Sequence, residues 1–238
     1  MESLRAHILS QIEKIERGRI FTYNDLSFYR NKMAHVAVLL SKFAKDGTII
    51  RIRKGAYYRP QESRLGLKKL PVYQDEQLNY LTKKLDGYIS GIYAYNKMSL
   101  TEQVPSIITI ATTKPTRNHK FNNLIIECVK SYINIQEESK NIQYALILDA
   151  IKDIKHIPGT TQQDVYNKIL NFYFKEYSKK EISTIINISK NYPPRVRKVV
   201  ADLLNDAGYI KCCNGLVSTL LPTTRFNLNY KTEKYGLA

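Results

Sequence analysis

The chain has 238 residues, 43% of them hydrophobic and 24% charged, and 37 Lys and Arg against 21 Asp and Glu give a formal charge of +16. This composition belongs to a folded protein, and the length exceeds a single small module, so a second core is expected. No apolar run spans a bilayer, the N-terminus lacks a charged-then-apolar leader pattern, and Cys128, Cys212 and Cys213 cannot all pair, which together point to the cytoplasm and reduced thiols.

Leu4, Ile8, Ile12 and Ile15 recur at helical spacing, and Gly18 closes this first predicted helix. Thr22 stands three residues before Asp25, the spacing of a reciprocal cap, with Phe21 and Leu26 placed as a hydrophobic staple. A short second helix is therefore predicted, ending near Tyr29. After the Arg30-Asn31 turn, a third helix puts Met33, Val36, Leu39, Leu40 and Phe43 on one apolar face and stops at Gly47. Ile50 and Ile52 then alternate with Arg51 and Arg53, Lys54-Gly55 turns the chain, and 56–59 returns as a second strand. Of the adjacent Tyr57 and Tyr58, one ring should face the core and the other should face out. Helix, short helix, helix and hairpin follow one another in the order of a winged helix-turn-helix.

Such modules bind either DNA or protein, and charge discriminates between the two. Residues 1–70 carry 15 Lys and Arg against 6 Asp and Glu, a net of +9, whereas the remaining 168 residues carry 22 against 15. The excess is concentrated in the module, where a cationic patch gains affinity for every phosphate it neutralises. Lys32, Lys42 and Lys45 suit phosphates, because a flexible ammonium senses charge better than an edge pattern. Asn31, His35 and Ser41 are the candidates for base edges, although a solvated helix histidine is the plainer reading of His35. Arg51, Arg53, Lys54 and Arg59 are expected along the backbone or in a minor groove.

Residues 61–75 read as a linker, with Pro71, Gly66 and no clear period. A helix over 76–85 opens the second region. A small-residue segment then leads to predicted strands at 107–111 and 121–129, and helices follow over 142–157, 164–174, 180–188 and 194–207. Beyond Gly208, Asn214-Gly215 between two apolar runs predicts a hairpin. The expected architecture is α+β: a winged helix-turn-helix over 1–60, a linker over 61–75, and an α+β domain over 76–238 with strands near 106–129 and 209–230.

The motifs of catalysis are missing. The sequence has no dinucleotide-binding glycine fingerprint, phosphate-binding loop, zinc-protease helix or Cys-x-x-Cys pair, and His7, His35, His119 and His156 are scattered. Asp149 and Asp153 share a helix face, but Lys152 and Lys155 beside them indicate a solvated charged surface. A protein that is not an enzyme, with no catalytic residue, metal site or cofactor, is the resulting expectation.

Three segments carry a family likeness: GRIFTYNDL with AVLLSKFAKDGTIIRIRKGAYYRP, then YISGIYAYNKMSLTEQVP, then LLPTTRFNL. Together they resemble the AbiEi-like antitoxins of type IV toxin-antitoxin and abortive-infection systems, in a subgroup with a domain of unknown function. One departure is Ser99, which stands where that family has glycine before Leu-Thr-x-Gln. The resemblance implies a two-part antitoxin. The winged domain would repress its own operon at inverted repeats in double-stranded DNA, and the second domain would counter a co-encoded nucleotidyltransferase-like toxin without needing a stable complex. Ser90 and Gln103 in the middle segment, and Arg195, Arg197 and Lys198 on a basic helix face, are the candidate positions for that second activity. From the residues alone, a plain transcriptional regulator with a sensing domain and an RNA- or protein-binding module remain alternatives.

Overall fold

The computed structural model describes residues 3–28, 30–61, 70–115, 117–221, 223 and 225–232, and the chain divides into two compact units, Met1–Lys84 and Leu85–Ala238. Both helices and strands are present, and the class is α+β.

The first unit opens with α1 (Leu4–Lys14), whose N-terminus is capped by the Ser3 hydroxyl accepting from the Ala6 N–H. Strand β1 (Ile20–Thr22) leads into a single 3-10 turn, Tyr23–Asp25. The reciprocal cap is formed: the Thr22 N–H and hydroxyl both donate to the Asp25 carboxylate, at 2.7 and 2.9 Å. The predicted second helix nevertheless goes no further than this turn. The Gln11 side-chain amide donates to the Ser27 carbonyl and accepts from the Ser27 N–H, so both groups that would extend the helix are occupied. Tyr29, where that helix was expected to end, lies outside the described residues.

A second 3-10 turn (Arg30–Lys32) precedes α2 (Met33–Lys45), and β2 (Ile50–Arg53) and β3 (Ala56–Tyr58) follow. The antiparallel sheet has the order β1-β3-β2, with a bulge between Arg51 and Arg53. Val36, Leu40 and Phe43 of α2 close on Ile8, Ile12 and Phe21 as expected, but Met33 is 53% exposed, because the helix begins there and its first turn projects past the core.

Tyr57 and Tyr58 are both buried, which corrects the expectation that one would face out. Tyr57 packs into the core shared with the helices. Tyr58 joins Ile20, Ala56 and Val72 on the opposite sheet face, with Ile50, Ile52 and Tyr80 alongside. That second cover comes from residues 70–84. The Tyr58 hydroxyl donates to the Leu70 carbonyl at 3.3 Å, and Glu76 accepts the Ile20 N–H at 3.0 Å. The stretch expected as linker is thus, from residue 70 onward, part of the first unit, together with α3 (Gln74–Leu85) up to Lys84. Residues 62–69, including Leu65 and Leu67, lie outside the described residues.

The second unit begins its sheet with β4 (Gly87–Ser90), which turns directly into α4 (Gly91–Lys97). At the turn Gly91 has φ +66°, and a Cβ there would lie 2.6 Å from the Thr109 hydroxyl, so only glycine allows the turn to lie against the next strand. That strand is β5 (Ile107–Thr112). The stretch predicted as one strand over 121–129 is a hairpin, β6 (His119–Phe121) and β7 (Leu124–Lys130), turning at Asn122 with φ +54°. The sheet order is β4-β5-β7-β6, with β5 and β7 parallel and the outer pairs antiparallel.

Helices α5 (Ile135–Glu138), α6 (Ile142–Lys152) and α7 (Gln162–Ile169) follow, the last continuing through a π turn over Leu170–Phe174. Then come α8 (Lys179–Ser189), α9 (Pro194–Asp206) and α10 (Ile210–Val217). Helix α6 ends five residues before its predicted limit at 157, where the Arg195 guanidinium takes the Lys152 carbonyl at 2.7 Å. The strands expected near 209–230 do not form among the described residues. Cys213 and Leu216 recur at helical spacing and are buried in the same core as α9, and this burial outweighs the local turn preference of Asn214-Gly215. No helix among the described residues is long and apolar enough to cross a membrane.

Candidate nucleic-acid interface

The fold of the first unit sorts the expected contact residues into two groups. Asn31, Lys32, His35, Ser41, Lys42 and Lys45 are all exposed along the face of α2 and its leading turn opposite Val36, Leu40 and Phe43. Val38, 55% exposed, lies on the same outer face and offers an apolar contact of the kind a thymine methyl accepts; sequence periodicity alone did not single it out. On the hairpin, the exposure of β2 alternates, with Arg51 and Arg53 outward and Ile50 and Ile52 half-buried, and Lys54 at the turn is also exposed.

Arg59 does not belong with them. Its guanidinium donates to the carbonyls of Glu13 and of Ile15, the latter at 2.7 Å, and so satisfies the C-terminal end of α1. A cation needed for a helix end has no free fork for phosphate.

Two electrostatic details mark the hairpin. Burial, and then the neighbouring Tyr23 hydroxyl, push the Tyr57 phenol up to about 12 against the pull of the Arg51 charge. Lys84 is lowered from its ordinary value, first by burial and then by the positive charge of Arg53. Two cations crowded in this way favour an anion between them, and Lys84, which no local motif marked, extends the basic set beyond residue 60.

In the second unit the positions expected on a free surface are largely engaged. Ser90 is 2% exposed and donates to Asp149 at 2.7 Å. Arg195 holds the end of α6, Arg197 donates to the Thr219 carbonyl and hydroxyl, and Lys198 pairs with Asp202 at 2.7 Å. The open basic face predicted from α9 is therefore a set of internal braces, drawn in because helix ends and a buried carboxylate needed donors. Gln103 is exposed, its N–H donating to the Thr101 hydroxyl.

Asp149 also departs from expectation. It is 1% exposed rather than solvated, and accepts from the hydroxyls of Tyr88 at 2.9 Å, Ser90 at 2.7 Å and Tyr192 at 3.0 Å, with the Lys152 ammonium 3.8 Å away. Burial raises its pKa against those partners, and the same burial drives the Tyr88 and Tyr192 phenols far up. This is a neutral-donor cage that joins β4, α6 and the residue after α8. No group of three or more His, Cys, Asp or Glu able to hold a metal ion occurs among the described residues.

Comparison with known proteins gives two findings. A family model described as "Family of unknown function (DUF6088)" matches residues 7–182. Among solved structures, the chain is similar to the crystal structure of RV2827C protein from Mycobacterium tuberculosis, at 11% identity and a TM-score of 0.51, over 92% of this chain and 82% of that one. At this identity the likeness concerns the fold alone. No match was found among curated proteins.

Proposed function

Because this chain belongs to the DUF6088 family, whose function is unknown, we propose a function from its own residues: a DNA-binding antitoxin of a type IV toxin-antitoxin system, acting in the cytoplasm. The first unit works as a winged helix-turn-helix on the promoter of its own operon, with α2 in the major groove and the β2–β3 hairpin along the backbone. The observation that carries this reading is the exposed row of cations on α2 and β2, set on a sheet and helix core that is buried behind them. Asn31, His35 and Ser41 face the base edges, and Lys32, Lys42, Lys45, Arg51, Arg53 and Lys54 face phosphates.

The antitoxin half of the proposal rests on the likeness of the segments around 89–105 and 220–228 to AbiEi-like antitoxins. The second unit counters a co-encoded nucleotidyltransferase-like toxin, with no catalysis and no cofactor of its own. Two measurements test the pair of roles. Mobility shifts on the DNA upstream of the reading frame should show saturable binding that weakens steeply with salt. Co-expression with the neighbouring gene should restore growth when that gene is toxic. Promoter binding without growth rescue leaves a plain transcriptional regulator, and neither result leaves no DNA or antitoxin role.

A further inference from the structure

Residues 225–232 form neither helix nor strand, yet alternate strictly between exposed and half-buried, with Phe226, Leu228 and Tyr230 turned inward. An extended segment presents every second side chain to one face in this way. Tyr230 is the anchor: its ring stacks on Tyr166 with centroids 4.4 Å apart, and its hydroxyl donates to Asp202 at 2.8 Å. Asp202 is 3% exposed and also receives Lys198.

The main chain on either side of the anchor is read by two glutamines of α7. Gln162 accepts the Asn229 N–H at 2.9 Å. Gln163 accepts the Lys231 N–H at 2.7 Å and donates to the Lys231 carbonyl at 3.2 Å, reproducing with one amide the pair of bonds a neighbouring strand would make. A cavity of about 480 Å³, walled by Ile154, Lys155 and Ile157, remains open beside the segment. Main-chain pairing plus a pocket for one aromatic side chain is how grooves recognise extended peptides.

We propose that Gln162, Gln163, Tyr166 and Asp202 form a peptide-binding groove for extended segments bearing tyrosine, which the chain fills in cis with its own residues 228–231. The segment's bonds to the rest of the unit run through side chains, so it can leave without unpairing a sheet. The groove is separate from the DNA-binding surface, and its test does not depend on it.

The test uses the full chain with Tyr230→Ala, which removes the resident anchor and leaves the groove, and a labelled peptide of sequence RFNLNYKT. The wild type, whose own segment competes at an effective concentration of roughly millimolar, should bind the peptide at least about tenfold more weakly than the variant. Adding Gln163→Ala to the variant should abolish binding, and replacing the peptide's tyrosine by alanine should do the same. A folded Tyr230→Ala chain that does not bind the peptide overturns the proposal. If that chain does not fold, hydrogen exchange on the wild type decides. The Asn229 and Lys231 amides should exchange by local opening, at least about a hundredfold faster than the amides of α9. Exchange of those two amides only with global unfolding overturns the proposal as well.

Discussion

Gln11 and Ser27 exchange two hydrogen bonds, side-chain amide to main chain, at 2.9 and 2.6 Å. This clasp holds the loop after the 3-10 turn against α1 and fixes where α2 can begin. Gln11→Ala is expected to destabilise the protein by about 1–2 kcal/mol, since two main-chain groups lose their partner. Urea unfolding of the full chain followed by circular dichroism measures it, and an unchanged midpoint would show the clasp to be incidental.

The hairpin cations and Arg59 should separate cleanly. Arg51→Ala with Arg53→Ala removes two phosphate contacts and is expected to reduce the steepness of the plot of log affinity against log salt by about 2. Arg59→Ala should leave that slope alone and instead lower stability by about 1–2 kcal/mol, because it uncaps α1. Salt titrations on one promoter fragment compare all three proteins, and a slope change for Arg59→Ala equal to that of the double variant would place Arg59 on DNA after all.

The extent of the first unit predicts how it can be isolated. A fragment ending at Lys84 keeps Val72, Glu76 and Tyr80 on the second face of the sheet, and should give dispersed amide resonances. One ending at Pro60 exposes Tyr58 and leaves the Ile20 N–H without Glu76, and should not. Equal dispersion in the two spectra would contradict the boundary.

Ser99 has φ +58° at the position where AbiEi-like antitoxins carry glycine. An L-residue in that region costs about 1–2 kcal/mol, and glycine gives back part of this in unfolded-chain entropy. Ser99→Gly is therefore expected to stabilise the protein by about 0.5–1 kcal/mol, read as a higher melting temperature; a lower one would mean that the serine makes an interaction worth more than the strain.

Asp149 makes stability depend on pH in a defined direction. Its carboxyl is raised above the ordinary 3.8 by burial, so the fold prefers the protonated form. The contribution is complete below about pH 3.8 and is lost as pH rises through the higher folded-state value. Asp149→Asn keeps an acceptor for Tyr88 and Ser90, and Tyr192 retains the Ala145 carbonyl at 3.2 Å. The stability of the variant relative to wild type should therefore rise between about pH 4 and pH 7. A difference that stays constant across that range would rule out this role for the carboxylate.

What was legible in the sequence was local. The apolar spacing of α2, the alternation of β2 and the Thr22–Asp25 cap depend on residues a few positions apart, and each formed. The burial of Tyr58 depends on Val72 and Tyr80, which cover it from outside the hairpin, and no pattern within 56–60 carries that information. Asp149 gathers hydroxyls from positions 88, 90 and 192, so its helix-face neighbours Lys152 and Lys155 gave a misleading impression of solvation. Around 210–217 a strong local turn signal lost to burial against α9, a competition that sequence windows do not contain.

In the order β1-β3-β2 the hairpin strand β2 is an outermost strand, with its inner side paired to β3 and both sheet faces covered. An outermost strand is the natural template for another chain's strand, and outward charges are the usual means of refusing it. Arg51 and Arg53 stand on that strand, and the Arg51 guanidinium folds back onto the Arg53 carbonyl at 3.4 Å. The same arginines thus keep two molecules from joining edge to edge, and a protein stripped of them loses solubility along with its grip on phosphate.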